Sequence, residues 1–292
     1  MARDTKAAFA YIGPAMFVLL IVAALPLGVA LATSTTNWHL HRAAQREFIG
    51  LANYIRLFED PRFIYSLQVT LLYTAVSVGV SMIGGFVLAL MMRRTFPGRN
   101  LVRALLTIPL IMTPVVSATM YRVFFYDADR GLFNWILGTL GLPTPVWVAS
   151  WPMAFYAICI IQIWFMTPFV FLVCDAAMES LPREPFDAAK IDGAGYLQRI
   201  IRLVIPMMRD TLIFALIFRI TIDYRMFDTI YVTTRGGPAR YTEVMSVWVY
   251  NRALRSFDVG YANAGSVVMA LVVALICLGL MLYNYRRREA VS

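Results

Sequence analysis

Arg219 and Asp223 lie one helical turn apart within the apolar run 210–232, DTLIFALIFRITIDYRMFDTIYV. Ionisable side chains inside a run of membrane-spanning length are costly, and they mark solute paths, proton relays or internal ion pairs. At about 1.5 Å per residue from Arg209, Arg219 falls roughly 15 Å along the run, near a bilayer midplane, with Asp223 on the same face. Two readings stand, a solute site and a buried structural ion pair. Arg225 and Asp228 fall roughly 24 and 28 Å along, close to the far boundary and almost opposite on the helical wheel, so they read as interfacial or structural.

A second apolar run, 152–175, offers a facing surface with Gln162 near mid-depth and Trp164, Phe165, Met166, Thr167 and Phe169 around it. Pro168 is expected to bend this run and free a carbonyl. Aromatic platforms beside amide and charged donors suit a polyhydroxylated solute, while ordinary aromatic packing is the competing account. A midplane arginine points to an anionic solute, and the adjacent Asp223 leaves a neutral sugar or polyol equally open.

Other chemistry is missing. The chain has no G-x-x-x-x-G-K-[ST] phosphate loop, no H-E-x-x-H, no C-x-x-C and no G-x-S-x-G. His39 and His41, an i, i+2 pair in a loop, read as solvated rather than metal-bound. RGGPA at 235–239 reads as a turn. The chain is therefore expected to be non-catalytic and to bind no cofactor or metal of its own.

The elements that must position these residues are membrane spans. Of 292 residues, 60% are hydrophobic and 15% charged, whereas a soluble domain carries about 25% charged residues. Spans are expected near 8–32, 66–92, 104–125, 152–175, 210–232 and 262–284, giving an all-α polytopic protein of six transmembrane helices in one domain, 1–292. The N-terminal run exceeds a signal-peptide core and reads as an uncleaved first span. Cys159, Cys174 and Cys277 lie in or at the ends of apolar runs and read as small buried hydrophobes, not disulfides.

The net charge of +9 does not imply nucleic-acid binding, because no basic stripe with interleaved aromatics occurs in a soluble segment. Instead fourteen Lys and Arg fall on one side of the spans: Arg3, Lys6, Arg93, Arg94, Arg99, Arg103, Arg183, Lys190, Arg199, Arg202, Arg209, Arg286, Arg287 and Arg288. Nine fall on the other side, with Arg122, Arg219 and Arg225 inside spans. The positive-inside rule then makes both termini and the 176–209 loop cytoplasmic. On the outer side, 48–66 and 131–143 carry amphipathic aromatic patterns suited to the interface. Trp38, Trp135, Trp147 and Trp151 near span ends fit an aromatic belt.

The 176–209 loop holds LPREPFDAAKIDGAGYLQRIIRLVIP at 181–206. Pro182 ends what precedes it and Pro185 suits the first turn of a new helix. Glu184 and Asp187 place negative charge at that helix's positive end. Ala188 and Ala189 leave a thin surface for close approach, and Asp192-Gly193 supplies a left-handed stop. A second amphipathic segment, 196–203, follows. The physical alternatives are an interfacial linker and a knob that docks on a cytoplasmic partner.

DAAKIDGAGYLQRIIRLVIP resembles the EAA signature of ABC-importer permeases. FIGLANYIRLFEDPRFIYSLQVTLLYT (48–74), FDTIYVTTRGGPARYTE (227–243) and YNRALRSFDVGYANAGS (250–266) are similar to the maltose and glycerol-phosphate branch, in order over nearly the whole chain. Asp187 stands where that family usually has Glu, and Pro185 where it usually has an aliphatic residue. The resemblance implies a bacterial inner-membrane, multi-pass subunit with a cytoplasmic EAA coupling helix between spans 4 and 5. Its partners would be a second homologous permease, a dimer of cytoplasmic ATPase subunits binding ATP and Mg, an extracytoplasmic solute-binding protein and membrane lipid, with no nucleic acid. Glu184, Asp187, Ala188, Ala189, Asp192 and Gly193 would form the ATPase joint. Phe165, Met166, Phe169, Arg219, Ile222 and Asp223 match positions where that branch lines its translocation path. The competing class is a self-sufficient secondary transporter or channel, which would need paired discontinuous spans; no inverted repeat is visible.

Overall fold

The computed structural model describes residues 2–41 and 46–289, with side chains over 11–41 and 46–287. The charges of Arg3, Lys6 and Arg288 counted above lie outside the described side chains. Fourteen α-helices are described: α1 (Ala2–Ser34), α2 (Ala52–Glu59), α3 (Pro61–Met92), α4 (Arg99–Ile111), α5 (Pro114–Met120), α6 (Leu132–Thr139), α7 (Met153–Glu179), α8 (Glu184–Ile191), α9 (Tyr196–Arg199), α10 (Ile205–Met207), α11 (Arg209–Tyr224), α12 (Asp228–Thr233), α13 (Met245–Tyr250) and α14 (Val259–Glu289). Among the described residues no strand forms; Thr36 with Phe48 and His39 with Asp258 make isolated bridges.

Among the described residues four helices are long and apolar enough to cross a membrane: Tyr11–Ser34, Pro61–Met92, Met153–Glu179 and Val259–Arg287. These coincide with four of the six expected spans. The other two are broken. Arg99–Ile111 and Pro114–Phe125 meet at 103°, where 104–125 was expected as one rod. The cause is local: Thr113 adopts extended backbone, its hydroxyl accepts the Val116 N–H at 3.3 Å, and Pro114 starts a new helix. The expected span at 210–232 is a 16-residue α11 that stops at Tyr224, followed by α12 from Asp228.

The chain divides into two compact units. In the first (1–65 and 248–271) a dense set of polar contacts ties loop to helix. Asp60 accepts from the Tyr261 hydroxyl at 2.9 Å and from Arg252 at 3.1 Å, and Arg56 reaches Asp258 at 3.3 Å. Trp248 is wholly buried between Phe63 and Tyr261. Gly265 makes room for it, since a Cβ there would fall 2.4 Å from the indole ring. His39, half-exposed, lies 3.8 Å from Asp258, and His41, exposed as expected, has its ring against Phe257. By contrast, residues 11–31 of α1 include no buried side chain, as befits a helix facing lipid or another subunit.

The second unit (66–247 and 272–292) is organised on α7, whose buried positions run from Ala154 to Met178. Its sequence is apolar on all sides, which fits a central helix. Helix α3 approaches it through Gly84 and Gly85. A Cβ on Gly85 would sit 2.5 Å from Val170 Cβ and 2.8 Å from the Phe171 nitrogen, so the helices meet backbone to backbone. The core there is built from Ala89, Met92, Phe171, Cys174, Val204 and Met208. The three cysteines are free thiols; Cys159 and Cys174 are buried, as read from their apolar runs, while Cys277 is half-buried.

Candidate functional site

Three helices of the second unit contribute to one buried polar cluster. From α11, Arg219 and Asp223 are 0% and 1% exposed and pair through two parallel bonds: Nη1 donates to Oδ1 and Nη2 to Oδ2, each at 2.7 Å. From α7, Gln162 Nε2 donates to Asp223 Oδ1 at 2.7 Å. From α3, the Ser77 hydroxyl donates to Asp223 Oδ2 at 2.6 Å. Ser81 Oγ accepts from Arg219 Nε at 3.3 Å and from Nη2 at 3.1 Å. Charge-assisted, bidentate bonds of this kind are short and strong, and they hold guanidinium and carboxylate in a fixed plane.

The i, i+4 spacing that suggested the pair is therefore realised, with Gln162 as its third member. Ser77 and Ser81 were not foreseen. Their signal lies in the α3 sequence, where Ser66, Thr70, Tyr73, Thr74, Ser77 and Ser81 recur at three- and four-residue steps and are all buried. Such a stripe of small polar residues is how one apolar helix presents hydrogen-bonding groups to its neighbours. Tyr73 lies close enough to Arg219 and Asp223 to interact electrostatically. Its hydroxyl and Gln162 Oε1 are both buried without a hydrogen-bond partner among the described residues, and atoms in that state usually have one.

The remaining candidates on α7 divide by helical face. Phe165 and Met166 are buried, at 8% and 5% exposure, and share the Gln162 side of the helix. Phe169 stacks on Phe218 of α11, with ring centroids 4.5 Å apart. Ile222 is half-buried beside Asp223. Trp164 faces elsewhere and joins an aromatic cluster through Tyr121 at 5.3 Å. The Thr167 hydroxyl donates to the Ile163 carbonyl at 2.6 Å, and its methyl lies 3.6 Å from a Cβ built on Gly84. Pro168 is accommodated within continuous α7. Arg225 and Asp228 are both exposed; Arg225 Nε caps the Thr221 carbonyl at 3.0 Å, and Asp228 begins α12.

A second feature lies at the other end of α7. Helix α8 begins at Glu184 with Pro185 in its first turn and ends at Ile191, and Gly193 follows with φ +74°. This is the local structure read from the prolines and the Asp192-Gly193 stop. Phe186 anchors the helix on the core around Met178 and Val204. Its other side is open: Asp187, Ala188 and Ile191 are exposed, Ile191 by 87%. The Lys190 ammonium donates to Asp187 at 2.8 Å, and this bond with the Lys190 charge holds the Asp187 carboxyl below its usual range. In the last turns of α7, Asp175 is buried and bonded to Arg103 of α4, with Glu179 3.6 Å from Arg99 and Arg103. This cluster was not foreseen either; its only trace in the sequence is an aspartate in the last apolar turns of α7.

No group of three or more His, Cys, Asp or Glu among the described residues is arranged to hold a metal ion. What the chain offers is a set of membrane helices with a closed polar cluster. Residues 81–286 match the family described as the inner membrane component of binding-protein-dependent transport systems. The chain belongs to this family. It is a permease subunit of an ABC importer, which decides against a self-sufficient transporter or channel. Among its relatives, the trehalose/maltose transport system permease protein MalF of Thermococcus litoralis is 34% identical over 279 residues, 94% of this chain and 91% of the relative. The sulfoquinovosyl glycerol transport system permease protein SmoG of Agrobacterium fabrum is 31% identical over 266 residues, covering 91% and 86%. The fold is that of a chain in the crystal structure of a bacterial alginate ABC transporter in complex with alginate pentasaccharide-bound periplasmic protein. The two superpose with a TM-score of 0.82 at 22% identity, covering 95% of this permease and 93% of that chain.

Proposed function

We propose that this permease, as a single functional domain over 1–292, forms half of the translocation path for a neutral polyhydroxylated solute, a sugar or polyol. The observation that carries this reading is the compensated charge at the cluster. Arg219 is matched atom for atom by Asp223, so the cluster offers no free positive charge to hold an anion. Its spare capacity is a hydroxyl on Tyr73 and a carbonyl on Gln162. A sugar hydroxyl, which both donates and accepts, suits both atoms. Phe165, Met166 and Phe169 then supply the apolar walls against which sugar faces pack. Trp164 and Thr167 support α7 from its other side. In the closed arrangement Ser77, Ser81 and Gln162 bond to the ion pair; separation of α3, α7 and α11 would free the same groups for solute.

In this reading the bent α4–α5 pair and the α11–α12 pair each complete a crossing, giving six. Both termini and α8 face the cytoplasm. Helix α8 docks on a cytoplasmic ATPase through Glu184, Asp187, Ala188, Ala189, Asp192 and Gly193. That partner binds ATP and Mg, while this chain binds neither. A second permease completes the path, and an extracytoplasmic solute-binding protein delivers the solute. The substrates named for the relatives, trehalose or maltose and sulfoquinovosyl glycerol, frame the choice between neutral and anionic sugars. The test is ATPase stimulation of the reconstituted complex by its binding protein with neutral disaccharides, polyols and anionic sugars. Neutral solutes are expected to stimulate. Stimulation by anionic sugars alone would overturn the solute class.

A further inference from the structure

The apolar run of α3 stops at Met92 and is followed at once by Arg93 and Arg94. A cavity of about 240 Å³ opens there, bounded by these two arginines and by Phe186, Lys190 and Arg199. A second cavity of about 570 Å³ shares Leu90, Arg94 and Tyr196 with the first, and its remaining wall is mostly apolar, including Met91, Phe96, Val102 and Leu106. A basic chamber thus opens onto a greasy one.

The charges of the basic chamber are poorly compensated. Lys190 is held by Asp187, and Arg93 lies over the Phe186 ring at 5.6 Å. The Arg94 and Arg199 guanidinium groups have no ion-pair or hydrogen-bond partner among the described residues, and Arg199 Nε is buried. No acidic residue lines either cavity. Converging unpaired arginines at the end of an apolar run, beside an acyl-sized groove, match a phosphate at the hydrocarbon boundary with a chain running inward.

We propose that the two chambers hold one anionic phospholipid, its phosphate among Arg93, Arg94 and Arg199 and an acyl chain along Met91, Phe96 and Leu106. Because Phe186 and Lys190 belong to α8, the headgroup braces that helix from below. Lipid binding itself does not depend on the docking role given to α8. Its consequence, that membrane composition tunes the response to ATP, does.

The test uses the assembled importer in nanodiscs of phosphatidylcholine with and without phosphatidylglycerol, with lipid retained after purification read by native mass spectrometry. The native complex should retain phosphatidylglycerol in preference to phosphatidylcholine. The Arg94→Gln/Arg199→Gln variant should lose that preference by about thirtyfold, two cations at a membrane surface contributing about fivefold each. Val102→Trp, which fills the apolar chamber without touching a charge, should also reduce retention. Equal retention in native and variants overturns the proposal. Displacement of the lipid by soluble glycerol phosphate would assign the site to a free anion. Unchanged retention together with failure of the double variant to hold its ATPase subunits would assign the arginines to protein carboxylates.

Discussion

Asp223→Asn tests whether the buried cluster is an integral unit. The substitution keeps the shape of the side chain and removes the only negative charge that compensates Arg219, in a place with no solvent exposure. Asp223 accepts from four donors, two on Arg219 and one each on Ser77 and Gln162. An asparagine has one acceptor oxygen for them, and its NH₂ group faces at least one N–H donor. Arg219 then keeps Ser81 and at most one of its two bonds to residue 223. Summing the lost bonds would overshoot; breaking a buried pair by removing one partner costs about 3–5 kcal/mol. Replacing both residues with apolar groups of similar volume is often neutral or better. Arg219→Met/Asp223→Leu should therefore recover most of what Asp223→Asn loses. The assay is thermal unfolding of the purified permease in detergent, followed by solute uptake in the assembled importer. If the cluster lines the path, the double variant folds but fails to transport. Additive losses in the double variant would refute the coupling, and full transport by it would leave the pair a purely structural role.

Three further outcomes follow from other contacts. Gly85→Ala should destabilise the permease by about 1–3 kcal/mol, because the new methyl meets Val170 and the Phe171 backbone, whereas Gly79→Ala on the same helix meets nothing within 4 Å; unfolding midpoints compare the two. Gly193→Val should cost about 1–2 kcal/mol at the left-handed turn after α8, and solute-stimulated ATPase activity should fall while the membrane helices remain folded by circular dichroism. At Asp60 burial raises the carboxyl pKa, but the Tyr261 hydroxyl, the Arg62 N–H and the Arg252 charge outweigh it, so the group sits below its usual value. A depressed folded-state value means that its stabilisation is present above the unfolded value and is lost as pH falls through the folded one. Stability of the native chain should decline below about pH 4, and Asp60→Asn should flatten that acid limb in unfolding midpoints measured against pH.

Legibility in the sequence followed length and period. Four spans were readable because an apolar run of about 20 residues has few other uses. The α4–α5 break was marked by Thr113-Pro114, a capping residue followed by a helix-starting proline, yet apolar continuity across it suggested one rod. Likewise nothing but three residues, Arg225 to Phe227, separates α11 from α12, and the run of hydropathy does not register them. The Arg219–Asp223 pair followed from i, i+4 spacing alone. Its serine partners could be suspected only as a stripe on α3, since which helix faces which is decided by packing and not by any one segment's pattern. Gly85 shows why: the α3–α7 crossing there depends on a missing side chain, and its use becomes visible only when the neighbouring backbone is in place. Helix α8 was legible nearly residue by residue, because prolines, acidic first turn and terminal glycine are all local signals.

The most direct test of the account is solute uptake into proteoliposomes containing either this permease alone or the complete importer with its second permease, ATPase subunits and binding protein. Uptake of a neutral sugar that requires ATP, the ATPase subunits and the binding protein together is the expected result. Uptake by this chain alone, without ATP, would contradict it.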